Sequence, residues 1–246
     1  GAAPGAVLAP PIRCPLMATA TEVLDPHAGP PARPFTRVEA WLPPFLLVVA
    51  SVLARLPALV NARGVNSDAA VVGLQAMHIL HGEWSWFLWG AGYQASLDAA
   101  LVAAAFAVTG PSALTLMVVP LIGYLVMVVL TYDVLRRAVG RGGAAVACLP
   151  LVFAPQSING VALYAPRQWA ITTTVLAVWL ASRACGRRAP LWLAGCGFVA
   201  GFAVYLDLFT LQMMPGVGVF ALWCALTAPR GEPDVRLRFP LQRARA

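Results

Sequence analysis

Apolar and polar positions in this chain fall into long blocks, without the short alternation of a half-buried strand. Apolar runs occupy about 41–60, 95–109, 113–135, 143–158, 168–184, 190–208 and 210–228. A helix needs about 20 residues, within a range near 17–25, to cross the hydrocarbon of a bilayer. Most of these runs reach or nearly reach that length. The run at 95–109 is short, largely alanine, and stops at Gly110-Pro111. Ahead of it lies the most unusual stretch, NSDAAVVGLQAMHILHGEWSWFLWGAGYQASLDA, over 66–99. There Ser67 is placed to cap a helix over 68–80, with Asp68 in the first turn, where the helix dipole favours an ionised carboxylate. Glu83, the aromatic cluster Trp84, Trp86, Phe87 and Trp89, and the Gly90-Ala91-Gly92 break then read as a loop. Tyr93-Gln94-Ala95-Ser96-Leu97-Asp98 leads into the short run.

Composition places the chain in a membrane. Residues are 60% hydrophobic and 11% charged, against about a quarter charged in a soluble domain. The 17 basic residues are all arginine and give a net charge of +7. They cluster beside apolar runs, so they read as topology signals, and no nucleic-acid partner is expected. Arg136, Arg137 and Arg141 follow the run at 113–135. Arg183, Arg187 and Arg188 follow 168–184, Arg230, Arg236 and Arg238 follow 210–228, and Arg13, Arg33 and Arg37 precede 41–60.

If 95–109 only dips into the interface, all four groups fall on one side, the cytoplasmic one. If it spans, the N-terminal group stands alone. The first arrangement predicts an all-α, polytopic protein of the inner (plasma) membrane with about six spans and a cytoplasmic N-terminus. Its outer loop, 61–112, carries two juxtamembrane helices near 68–80 and 95–109. Residues 1–40 hold eight prolines, cannot bury a core, and read as a disordered cytoplasmic segment without the pattern of a signal peptide. Residues 41–228 form the membrane domain and 229–246 a polar cytoplasmic tail.

On that topology Asp68, Glu83, Tyr93, Asp98, Tyr164, Arg167 and Asp207 converge on the outer face. Asp207, at the end of a span, is a functional candidate by default. Arg55 lies near the outer end of the first run and is expected to snorkel outward. Asp133 has Arg136 and Arg137 one turn on, the spacing of a local ion pair. Gly197 and Gly201 make a small-xxx-small face suited to close helix packing. The Trp84–Trp89 cluster reads first as an interfacial anchor. His78 and His81 have only Glu83 as a nearby carboxylate and read as loop histidines. Cys14, Cys148, Cys185, Cys196 and Cys224 show no metal-ligand spacing and read as packing thiols.

Taken in order, SDAAVVGLQAMHILHG, GYQASLDAALVAAAFAVTGPSALTLMVVPLIG and LRRAVGRGGAAVACLPLVFAP resemble the bacterial glycosyltransferases of the GT-C superfamily, related to protein O-mannosyltransferases and lipid A aminoarabinose transferases. The resemblance covers roughly 41–228, and the order and spacing of its motifs carry it. Residues 92–99 are similar to the latter part of the motif that opens the family's second juxtamembrane helix. Asp68 is followed by Ala69 where the family often has a carboxylate pair. Family chains continue through further spans, so this chain is expected to be an N-terminal part.

The resemblance implies sugar transfer from a polyprenyl-phosphate-sugar to an acceptor glycan, lipid or protein at the outer face, expected to proceed with inversion. Asp68 is then the catalytic carboxylate, and Tyr93, Gln94, Asp98, Tyr164, Arg167 and Asp207 bind substrate. Charge on the leaving phosphate would be met by Arg167, or by a divalent cation (magnesium or manganese) held with Asp68. Two other classes compete: a transporter or flippase for a lipid-linked sugar, marked by ionisable residues through mid-membrane, and a non-catalytic membrane scaffold.

Overall fold

The structure, a computed structural model, describes residues 37–62, 65–155, 162–164, 166–184 and 188–227. The proline-rich start, Arg63, most of the loop at 156–168 and the polar tail lie outside the described residues. The helices are α1 (Arg37–Val60), α2 (Ser67–Leu80), α3 (Leu97–Thr109), α4 (Ala113–Val152), α5 (Gln168–Ser182), α6 (Ala189–Leu206) and α7 (Met214–Thr227). A 3₁₀ helix, Leu208–Met213, joins the last two, and strands β1 (Phe87–Leu88) and β2 (Ala91–Ala95) pair between α2 and α3.

Helix α4 is two helices. Gly140 has φ 77° and ψ 177°, a conformation that costs a side-chain-bearing residue and suits glycine. At this elbow the chain turns back. Tyr124, Met127, Val128 and Tyr132 of the first arm share one core cluster with Ala144, Cys148 and Val152 of the second, and Leu47 of α1 joins them. The Tyr124 hydroxyl donates to the Leu151 carbonyl across the hairpin. The runs expected at 113–135 and 143–158 are these two arms.

Among the described residues, four stretches are long and apolar enough to cross a membrane: Trp41–Val60, Ala113–Val152, Ala189–Leu206 and Leu208–Leu226. Large apolar side chains on them face outward, with Trp41 71%, Phe198 78% and Val219 70% exposed. Outward-facing bulk of this kind belongs to a surface solvated by lipid tails. The protein is an all-α membrane protein. Helix α5, at 15 residues, is about 22 Å long.

Helices α2 and α3 form a separate layer. Ala69, Val72 and Ala76 pack with Ala99, Val102, Ala103 and Phe106, and the pair rests on Leu116 and Val119 in the first two turns of α4. With 13 residues, α3 is about 20 Å long, short of the roughly 30 Å of a hydrocarbon core.

Several local expectations are corrected. The cap of α2 is Asn66, whose side chain accepts from the Ala69 N–H at 2.8 Å, and Ser67 is already helical. The aromatic loop contains a β-hairpin with Gly90 at φ 75°. A Cβ at Gly197 or Gly201 would meet nothing within 4 Å, whereas one at Gly123 would come within 3.1 Å of the Trp169 ring. The close approach is therefore at Gly123. Arg55 does not snorkel; it is buried, reaching Ser51 O at 3.0 Å, Leu151 O at 3.2 Å and Val152 O at 3.4 Å. The last two carbonyls belong to the final turn of α4, which has no helical partners for them, so the arginine caps a helix C-terminus. Its guanidinium also lies 4.2 Å from the centre of the Tyr124 ring. Cys148, Cys196 and Cys224 are buried free thiols.

Candidate active site at the hairpin end of the bundle

The site is assembled from three stretches distant in sequence, 94–98, Arg167 and Asp207. The hairpin comes first, because it carries Gln94. A single buried amide holds it to α2: Gln75 Nε2 donates to Phe87 O at 3.1 Å, and Trp89 N donates to Gln75 Oε1 at 3.1 Å. Ser96 closes the base, its N–H donating to Trp86 O at 3.1 Å and its hydroxyl to Ser85 O. So pinned, β2 runs alongside the end of α6, where Gln94 and Asp207 form a β-bridge. The Gln94 amide Nε2 donates to Asp207 Oδ2 at 2.7 Å.

Asp207 terminates α6 in an extended conformation and opens the 3₁₀ helix, with Oδ1 accepting from Phe209 N at 2.9 Å. Arg167, the residue before α5, brings its Nε to 3.3 Å from Asp207 Oδ2, and its guanidinium lies 5.3 Å from the centre of the Phe209 ring. Exposure splits this ion pair, with the arginine side chain 42% exposed and the aspartate 1%. A cation half out of the protein is thus anchored by a carboxylate wholly inside it.

Asp98, in the first turn of α3, completes the group. It is 5% exposed, and its Oδ1 has no hydrogen-bond partner among the described residues. Burial holds its carboxyl well above the usual carboxylate range; the Asp207 charge pushes the same way, and a backbone hydrogen bond opposes both. Asp98 is thereby kept in its neutral form to a higher pH than an exposed aspartate.

Four of the residues expected from sequence, Gln94, Asp98, Arg167 and Asp207, come together. The others stand apart. Asp68 is exposed in the first turn of α2, with Ser67 Oγ 3.4 Å from its Oδ1. It precedes Gln75 by two turns, about 10 Å along the helix. Tyr93 is exposed beside Gln94, and Tyr164 packs against the α2–α3 layer. Glu83 pairs with His78 at 2.5 Å, and His78 meets the Trp89 ring edge-on at 4.8 Å.

Gln75 went unnoticed from sequence, although an amide among the buried Ala69, Val72 and Ala76 positions of an otherwise apolar helix face is a signal of a pinned neighbour. No group of three or more His, Cys, Asp or Glu side chains gathers among the described residues.

Chemically, the cluster presents one half-exposed guanidinium to an anion and sets a buried carboxyl of raised pKa near its aspartate partner. A phosphate meeting Arg167 competes with Asp207 for the same donor. No curated protein and no solved structure matches the chain. The family model of dolichyl-phosphate-mannose-protein mannosyltransferases matches residues 94–230. That is more than half of the 246 residues. The matched segment begins at Gln94 and includes Asp98, Tyr164, Arg167 and Asp207, while Asp68 and Tyr93 precede it. The chain belongs to the dolichyl-phosphate-mannose-protein mannosyltransferase family, membrane glycosyltransferases of the GT-C type.

Proposed function

We propose that the chain takes part in moving a sugar from a polyprenyl-phosphate donor to a hydroxyl or amine of a glycan, lipid or protein acceptor, at the outer face of the plasma membrane. The observation that supports this reading is the half-exposed Arg167 held over buried Asp207 near buried Asp98, all inside the family segment. In the reaction the acceptor oxygen or nitrogen bonds to the anomeric carbon as the bond to the phosphate oxygen breaks. The electron pair leaves on the phosphate, and the acceptor's proton passes to a carboxylate. Arg167 releases Asp207 and grips the phosphate, stabilising the charge that develops there.

Asp68 is proposed as the accepting carboxylate, being exposed in the first turn of α2. A second reading gives that role to Asp98, favoured by its burial and by an Oδ1 without a partner. Sugar transfer by reconstituted protein separates them. Loss of a general base costs about a hundredfold or more. Asp68→Asn with that loss and Asp98→Asn within a few-fold of the parent supports the first reading. The reverse supports the second, and two mild effects sink both. If the parent moves labelled lipid-linked sugar across vesicles without transferring it, the transporter reading replaces this one.

A further inference from the structure

The far end of α5 carries a second cluster that the transfer chemistry does not use. Asp133, near the end of the first arm of α4, has five donor contacts on its two oxygens. Arg136 Nε and Nη2 reach Oδ1 at 2.6 and 2.5 Å. On Oδ2 stand Arg137 Nη2 at 3.0 Å, Trp179 Nε1 at 2.9 Å and Arg183 Nη2 at 2.8 Å. A carboxylate offers about four lone-pair sites, so it is saturated. Arg137 Nε and Arg183 Nε remain buried with no acceptor among the described residues.

The charges do not balance either. Among the described residues bonded to it, three guanidinium groups share this one carboxylate, a surplus of two positive charges. The surplus faces outward, because the Asp133 side chain is 15% exposed and those of Arg136 and Arg183 are 37% and 33%. Trp179 and Trp192 meet edge-on at 6.3 Å beside it, and Arg183 lies 4.4 Å from the centre of the Trp179 ring. Paired tryptophans at the end of apolar helices mark headgroup depth.

We propose that this cluster binds the phosphodiester of an anionic phospholipid headgroup, seated on Arg136, Arg137 and Arg183 against Trp179. A phosphodiester supplies what the site lacks: a negative charge and two free oxygens that accept from guanidinium edges in parallel. Its acyl chains run along the outward apolar face of α4. The inference does not depend on the transfer reaction.

The test uses the full chain in lipid discs of phosphatidylcholine with added phosphatidylglycerol, with bound lipid counted by native mass spectrometry. The parent should prefer phosphatidylglycerol by about tenfold or more. Arg136→Gln with Arg183→Gln cancels the surplus and should bring the preference within about twofold of unity. Asp133→Asn enlarges the surplus and should raise the preference, so Asp133→Asn and the single Arg136→Gln move it in opposite directions even if the double variant fails to fold. A network that only braces the helices leaves the preference unchanged in both, and that result overturns the proposal. So does equal binding of the two lipids by the parent, or a preference that survives the folded double variant. Displacement of the lipid by millimolar inorganic phosphate would assign the site to a free anion and also overturn it.

Discussion

Asp207 takes donors from Gln94, Arg167 and the Phe209 amide, whereas one oxygen of neighbouring Asp98 takes none. Burial, with the nearby Asp207 charge, gives Asp98 a pH signature. Its folded-state pKa is raised above the unfolded value, so between the two the folded chain holds the extra proton and stability falls as pH rises. The fall begins above the ordinary carboxyl pKa and ends once Asp98 ionises in the folded protein. Asp98→Asn, neutral throughout, should flatten this slope and raise the melting temperature at neutral pH relative to the parent; an unchanged slope contradicts the assignment. Arg167 supports a second prediction. A lysine at 167 can keep the ion pair with Asp207 but cannot grip a phosphate with two parallel hydrogen bonds. Arg167→Lys should raise the donor KM about tenfold or more and leave acceptor KM unchanged. Equal donor titrations for lysine and arginine would reduce Arg167 to an interfacial cation. Each of these residues stood out in the sequence as a polar position beside an apolar run. Their pairing did not, because nothing local links Gln94, Arg167 and Asp207 until the hairpin is laid against the end of α6.

Among elements, α4 separates what a sequence shows from what it hides. LRRAVGRGG visibly interrupts two apolar runs, but a gap rich in arginine and glycine fits a loop as well as a one-residue elbow. Only the conformation of Gly140, at φ 77°, decides. Gly140→Ala should therefore cost about 1–2 kcal/mol in reversible unfolding. Gly142→Ala, where a Cβ meets nothing within 4 Å and φ is ordinary, should be neutral or stabilising by a few tenths to about 1 kcal/mol. Similar losses at both sites would mean that flexibility, not left-handed geometry, matters at the elbow. The hairpin was less legible still. Residues 84–95 show no alternation, and their fold is imposed by a side chain on another element, Gln75, 12 residues before Phe87. At the start of α2, Asn66 and Ser67 are adjacent cap residues of similar strength. The extended backbone at Asn66 (φ −73°, ψ 169°) assigns the cap to the asparagine.

At the scale of the whole molecule, the two polar clusters fix opposite ends of one bundle. Helix α5 begins at Arg167, bound to Asp207, and ends beside Arg183, bound to Asp133, so the clusters stand about 22 Å apart along it. Arg136 and Arg137 lie with Arg183 at the elbow end, as the clustering of arginines beside apolar runs led one to expect. The α2–α3 layer rests on the first two turns of α4, keeping the short run at 95–109 near the other end. Positive charge is retained on the cytoplasmic side, so the elbow is proposed to be inside and the hairpin outside. Cysteine labelling in intact cells checks this, in a background whose native cysteines are replaced. Gly110 and Gly140 are poor reporter positions, since both have φ near +78° and a side chain would strain them. Pro111 and Gly142 are exposed neighbours without that problem. Pro111→Cys should react with an impermeant maleimide from outside, and Gly142→Cys only after the membrane is opened. The opposite pattern would place Arg167 and Asp207 on the cytoplasmic face, and the outer-face transfer reaction would fall with it.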